Sequence, residues 1–301
     1  MECMLLAATK FSELKGWRWV LGWIFDQIIN HPLGQGMVED MLYLKTSDLT
    51  IANGLWDLFG VLALGLAIMG FIFDLDRAMF MAQGNATMLT WFIPFVKFAG
   101  CILVLSNASL ITGWILSLNN SLIKSAAALT IEDASGGVSA EAAICGAIEE
   151  MTIIPAAFIV APTLLLVYIL SIVPSLIMYY NAVVRKLELI LRVGFTPVAM
   201  ADVYKGADSM TVRWLKKFLA LGIYGMGMIA VMKIALQLQV TTLATEFSKV
   251  LGEDGLYNIA TEGPGVILGL VTPVLFAVVV LFAEIGACSM IKQAANEALG
   301  C

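Results

Sequence analysis

The sequence predicts an all-α fold: a polytopic membrane helical bundle of about five transmembrane helices with interfacial amphipathic helices beside it. Three observations carry this. Of the 301 residues, 60% are hydrophobic and 13% charged, where a soluble domain has roughly 25% charged residues. The 26 glycines and eight prolines still leave several apolar runs of the length a membrane crossing needs, about 20 residues. The remaining charges gather between those runs, and their sign changes from gap to gap. An ordinary soluble enzyme, a disordered tail and a disulfide scaffold are all excluded by this composition.

The chain divides at residue 50 into an N-terminal outer or interfacial segment, 1–50, and a transmembrane bundle, 51–301. In the first segment Phe11, Leu14, Leu21, Ile24 and Ile28 recur at helical spacing. Trp17, Trp19 and Trp23 lie among Lys15, Arg18 and Asp26. Tryptophan favours the headgroup level, so the pattern predicts an amphipathic helix on the membrane surface. Packing against the bundle itself, or against a neighbouring subunit, satisfies the same pattern. Spans are then predicted at 51–73, 91–118, 153–184, 218–238 and 266–287. The third is 32 residues long and holds Pro155, Pro162 and Pro174. At 1.5 Å per residue it reaches about 48 Å, so a kinked or broken helix is expected there.

Sidedness follows from the cations, which accumulate on the cytoplasmic face. The loop 119–152 sets Lys124 against Glu132, Asp133, Glu141, Glu149 and Glu150, and the loop 239–265 sets Lys249 against Glu246, Glu253, Asp254 and Glu262. Both acidic loops are assigned outside. The segment 185–217 holds Arg185, Lys186, Arg192, Lys205, Arg213, Lys216 and Lys217 against Glu188, Asp202 and Asp208, a net +4 in a chain of −6. It is assigned to the cytoplasm, with the N-terminus outside and the C-terminus inside. To keep both basic clusters on one face, Leu187–Val203 is read as an interfacial helix. A six-span arrangement, in which it crosses, is the alternative. At 100° per residue Arg185, Glu188 and Arg192 form one polar stripe.

Four charges lie inside the predicted spans, Asp57, Lys97, Lys233 and Glu284, and intramembrane charges are functional candidates by default. The expected pairs are Asp57 with Lys233 and Lys97 with Glu284, against a plain alternative of snorkelling to the interface. Ser106, Asn107, Ser109 and Thr112 make the middle of the second span polar, suited to helix–helix hydrogen bonds or to lining a pore. Gly265 and Gly269 form a GxxxG at the start of the last span. His31 is the one histidine, and the five cysteines form no CxxC pair, so no metal site, cofactor site or disulfide framework is readable. With no phosphate-binding loop and no catalytic constellation in the spans, enzymatic activity is not expected. No internal repeat is visible either, which weighs against a stand-alone transporter or channel for a small solute, the alternative reading of function.

The stretch VRKLELILRVGFTPVAMADVYKGADSMTVRWLKKFLALGIYGMGMIAV, residues 184–231, resembles the signature region of the TrbL-like polytopic inner-membrane subunits of type IV secretion and conjugation systems. The resemblance rests on a basic-apolar helix, the FTPVAMAD segment around Pro197, the turn at Lys205-Gly206 and RWLKKFLA leading into the next span. It implies a channel-forming or scaffold subunit of a conjugative DNA-transfer machine in the cytoplasmic membrane, assembled with copies of itself and with other machine subunits, including cytoplasmic ATPases. Transient contact with translocated single-stranded DNA or protein is also implied. The family offers no catalytic residues to carry over. Arg185, Lys186, Arg192, Lys205, Arg213, Lys216 and Lys217 become docking candidates for partner, lipid or substrate, and Pro197 and Gly206 join Pro155, Pro162 and Pro174 as structural candidates. A +4 segment can also meet anionic lipid at about 1 kcal/mol per cation, or serve as a topology signal alone.

Overall fold

The computed structural model describes residues 10–16, 18–29, 35–81, 87–128, 145–146, 148, 154–203, 205, 209–251 and 264–300. Most of the acidic loop 119–152, residues 252–263 of the other acidic loop, His31 and Gly206 lie outside the described residues. All regular structure among those described is helical: α1 (Arg18–Ile29), α2 (Gln35–Leu42), α3 (Leu49–Met81), α4 (Met88–Ser106), α5 (Ala108–Ala127), α6 (Ile154–Met200), α7 (Met210–Leu251) and α8 (Pro264–Leu299), with short 3-10 turns at Phe11–Glu13 and Thr46–Asp48. Five stretches are long and apolar enough to cross a membrane: Ala52–Met81, Met88–Ser106, Leu165–Met200, Met210–Gln239 and Val278–Leu299. The protein is an all-α, multi-pass membrane protein.

Two compact units share the long helices. The first comprises 1–40, 128–180 and 228–289. There Leu14, Leu21, Ile24 and Phe25 are buried while Trp19 and Trp23 stay about half exposed, so the N-terminal helix packs its aliphatic face on protein and turns its tryptophans outward. The Cys288 thiol meets the Met178 thioether at 3.0 Å, deep among buried residues.

The second unit comprises 41–127, 181–227 and 290–301. Small residues let its helices approach closely, as apolar helices without a hydrophobic drive between them require. Ala63 and Ala67 of α3, Cys101 of α4 and Ala201 after α6 form one buried cluster. The Cys101 thiol lies 3.3 Å from the Ala201 carbonyl. Gly194 of α6 lies against Leu55 of α3, where an added Cβ would stand 2.9 Å from the Leu55 Cβ. One residue on, the Phe195 and Phe59 rings stack with centroids 4.4 Å apart.

Three expectations from the sequence are corrected here. The run 91–118 is not one helix, because Asn107 ends α4 and starts α5. The Ser106 hydroxyl (2.9 Å), the Asn107 amide side chain (2.8 Å) and the Asn107 N–H (3.2 Å) all donate to the Leu103 carbonyl. The Asn107 carbonyl then accepts from the N–H groups of Leu110 and Ile111. A polar pair in an apolar run thus supplies local partners that compete with the helical ladder.

Second, α6 is an unbroken helical element of 47 residues, about 70 Å long at 1.5 Å per residue. Pro155 stands in its first turn, where the missing N–H has no intrahelical partner to lose. Pro162, Pro174 and Pro197 each remove one rung, and a helix in an apolar setting tolerates that better than an exposed backbone. Leu187–Val203 is therefore no separate interfacial helix; through Gly194, Phe195 and Ala201 it packs along α3 and α4.

Third, the charge pattern set 1–50 and 119–152 on one face and 185–217 on the other. Within the second unit the fold brings Leu42, Asp48 and Asn119 together with Arg185 and Lys186 in one layer. The Arg185 guanidinium reaches the Leu42 carbonyl at 3.1 Å and the Asn119 side chain at 2.6 Å, and Lys186 Nζ lies 2.7 Å from Asp48 Oδ2. The cations at 185–186 accumulate there to satisfy these partners, so they carry no signal of sidedness.

This layer predicts a crosslink. In a background lacking native cysteines, Asp48→Cys combined with Lys186→Cys should be joined by a short bis-thiol reagent, read as a protease-cut chain whose fragments stay together. Two faces separated by a bilayer would yield no such product.

Candidate functional site

Two features of the second unit concentrate its polar chemistry. The first is Arg185, 1% exposed and the largest fully buried side chain among the described residues. A buried charge is tolerated only when it is hydrogen-bonded on several sides. Here Nε donates to the Leu221 carbonyl at 2.7 Å, Nη1 to the Leu42 carbonyl at 3.1 Å and Nη2 to Asn119 Oδ1 at 2.6 Å. Leu42 closes α2, so its carbonyl has no intrahelical donor. Leu221 lies inside α7, and its second lone pair takes the guanidinium. Among the described residues no carboxylate pairs with Arg185.

Glycines of α7 make the room. A Cβ at Gly225 would sit on the guanidinium Cζ and Nη2 of Arg185, and one at Gly222 would come 3.3 Å from Asn119 Oδ1. Asn120 clasps the same chain segment from α5, accepting from the Leu44 N–H at 3.3 Å and donating to the Leu44 carbonyl at 3.2 Å. Among the described residues the buried Asn119 Nδ2 has no hydrogen-bond partner, a cost the layer carries. Asp48 accepts from the Lys45 N–H at 2.9 Å as well as from Lys186. Burial pushes the Asp48 carboxyl up, but the Lys186 hydrogen bond, the Lys45 N–H and the two lysine charges outweigh it and hold it below its ordinary range.

The second feature is a crevice of about 270 Å³ where α6, α7 and α8 converge, lined by Glu188, Arg192, Lys217, Tyr224, Lys292 and Asn296 among others. Arg192 is held by Glu188 one turn earlier, with Nη2 at 2.7 Å and Nε at 3.2 Å from Oε1. Inside, Trp214 and Phe218 anchor the first turns of α7 with ring centroids 5.0 Å apart.

The seven basic docking candidates therefore part company. Arg185 and Lys186 are withdrawn as docking groups, because both are consumed by internal partners. Arg192 and Lys217 meet in the crevice. Lys205 pairs with Asp202 at 2.8 Å, and Arg213 is exposed on α7. Lys216 Nζ lies 3.6 Å from where a Cβ would stand at Gly300, beside the C-terminal end of α8, whose carbonyls favour a cation. Pro197 is buried.

Of the intramembrane charges, Lys97 meets Asp74 at 3.6 Å rather than the expected Glu284. Asp57 is exposed and lines a cleft of about 220 Å³ with Asn53, Ser109 and Thr112. Lys233 and Glu284 are half-buried on α7 and α8. Sequence reasoning missed Lys292 and Asp74. Lys292 carried one available signal, its helical register with Asn296 beyond the last apolar run. Among the described residues no cluster of histidine, cysteine or carboxylate side chains is fit to hold a metal ion. Comparison of the chain with family models, with curated proteins and with solved structures found no match.

Two predictions follow from the arginine layer. Arg185→Met should cost about 2–4 kcal/mol and Gly225→Ala about 1–3 kcal/mol through overpacking, read as thermal unfolding in detergent. Combined, they should cost well under the sum, since a methionine yields where the guanidinium does not; additive costs would remove the contact from the account. For Asp48 the lowered carboxyl means that its stabilisation is complete above the unfolded carboxyl's value. It is lost as pH falls through the lower folded one. Asp48→Asn should cost about 1 kcal/mol at neutral pH and flatten the loss of stability below about pH 4, measured as melting temperature against pH.

Proposed function

We propose that the chain is a channel-forming or scaffold subunit of a type IV secretion machine in the cytoplasmic membrane, contributing to the substrate path of conjugative transfer. One observation carries the reading. The stretch that resembles the TrbL-like subunits, 184–231, folds as a helical hairpin, with the end of α6 and the start of α7 held by Thr211 donating to the Ala199 carbonyl at 2.8 Å. Its basic residues divide into an inward pair, Arg185 and Lys186, and an accessible set that includes Arg213 and Lys217. Such a hairpin offers a cationic surface on a rigid base, suited to docking a cytoplasmic ATPase or screening the phosphates of a passing strand.

The broad apolar flanks of α3 and α4 support membrane burial and assembly with further copies. Leu58, Val61, Leu62, Phe73, Phe80 and Phe92 are all more than half exposed. The accessible basic set supports a cytoplasmic position for the start of α7. The end of α8 comes with it, through Lys216 beside Gly300.

Replacing Arg213, Lys216 and Lys217 together by Gln tests this. Insertion should be normal, because Arg192, Lys205 and Lys292 remain, while transfer should fall about a hundredfold for up to three contacts of about 1 kcal/mol each. Wild-type transfer with normal insertion would remove the docking role.

A further inference from the structure

The crevice between α6, α7 and α8 is better furnished than a topology signal needs. Three cations from three helices, Arg192, Lys217 and Lys292, line one cavity of about 270 Å³ with Asn296 and Tyr224. Glu188 is engaged by Arg192, whereas Lys217 and Lys292 are exposed and have no carboxylate partner among the described residues. The cavity thus holds a net +2 with ammonium and amide donors on its walls. A phosphodiester brings one negative charge, which that excess more than neutralises, and it accepts hydrogen bonds that charge assistance strengthens. A single recess of this size does not match a nucleic-acid strand, which needs a track of cations and stacking faces.

Two apolar surfaces adjoin the cations. On α6, Leu187, Leu191 and Phe195 are 56%, 50% and 44% exposed, spaced by four residues and one step round the helix from Glu188 and Arg192. On α8, Met290 is 71% exposed, two residues before Lys292. A ligand with a phosphate head and hydrocarbon tails has partners for both of its parts here, and a free phosphate has partners for one. We propose that this crevice binds the phosphodiester headgroup of an anionic phospholipid, whose chains lie along the apolar stripe of α6. Lys217 and Lys292 contact the phosphate, and Glu188 positions Arg192 at its rim. The bound lipid ties the ends of three helices together at one level of the membrane, which a diffuse belt of surface lysines does not do.

The test uses the full chain purified in mild detergent, with phosphatidylglycerol and phosphatidylcholine titrated in turn and bound lipid counted by native mass spectrometry. The wild type should retain phosphatidylglycerol in preference to phosphatidylcholine. K217Q/K292Q should bind it roughly thirtyfold more weakly, with an unchanged melting temperature. A control that removes two exposed cations elsewhere, K10Q/K124Q, should keep wild-type binding. Equal retention of the two lipids by the wild type, or undiminished preference in K217Q/K292Q, overturns the site. Displacement of the lipid by millimolar inorganic phosphate overturns the lipid assignment in favour of a small soluble anion. Resistance to that displacement supports the lipid. The lipid preference of the wild type decides the question even if the double variant fails to fold.

Discussion

Much of the second unit is arranged around one desolvated guanidinium. Arg185 has no anionic partner among the described residues and is held instead by two carbonyls and an amide oxygen. Each acceptor imposes a demand on a different part of the chain. Leu42 must end a helix so that its carbonyl is free. Asn119 must face inward although its own Nδ2 goes unpaired. Position 225 favours glycine, since a Cβ there displaces the guanidinium. Lysine cannot substitute, because its point charge lacks the planar fork that reaches three directions at once. The neighbouring Lys186–Asp48 pair and the Asn120–Leu44 clasp then fix the segment from Leu42 to Asp48 against α5 and α6.

The fold class was legible in the sequence because apolar length is a coarse quantity: runs of about 20 residues need only be counted. Span ends were less legible. A kinked or broken helix was expected around Pro162 and Pro174, and the helix continues through both, while a break did occur at Asn107, where no proline stands. Proline removes one donor, but the paired side chains of Ser106 and Asn107 offer rival hydrogen bonds to the Leu103 carbonyl, and in an apolar run the rival wins locally. The role of Arg185 was not legible at all. Its sequence context, an Arg-Lys pair after an apolar run, is the same for a cytoplasmic topology signal and for a buried structural cation. The one discriminating trace was the glycine pair at 222 and 225, visible only if the face opposite the arginine is considered along with the arginine itself.

The basic residues of 185–217 thus do two kinds of work that net charge merges. Arg185 and Lys186 are spent on internal partners and cannot meet anything else. Arg192 is partly discharged by Glu188, which leaves Arg213, Lys216, Lys217 and Lys292 as the cations able to attract an external anion. A count of seven cations overstates the surface available for docking, and Lys292, outside the segment, belongs to the effective patch. Charge in a membrane protein is read better by what each cation has left to donate than by its sum over a loop.

The partners of Arg185 come from positions 42, 119 and 221, separated from it by 143, 66 and 36 residues. None is local, so the guanidinium cannot be satisfied while α6 is an isolated helix. Until α2, α5 and α7 are in place, the charge must stay in water or at the headgroup level, where a long side chain can snorkel. The final desolvation therefore follows assembly of the unit. It also polices that assembly, because most registers of α7 that do not bring Gly225 opposite Arg185 set a side chain where the guanidinium lies. A layer that is costly to bury and hard to satisfy by accident specifies one arrangement among long apolar helices whose surfaces would otherwise slide over one another with little penalty.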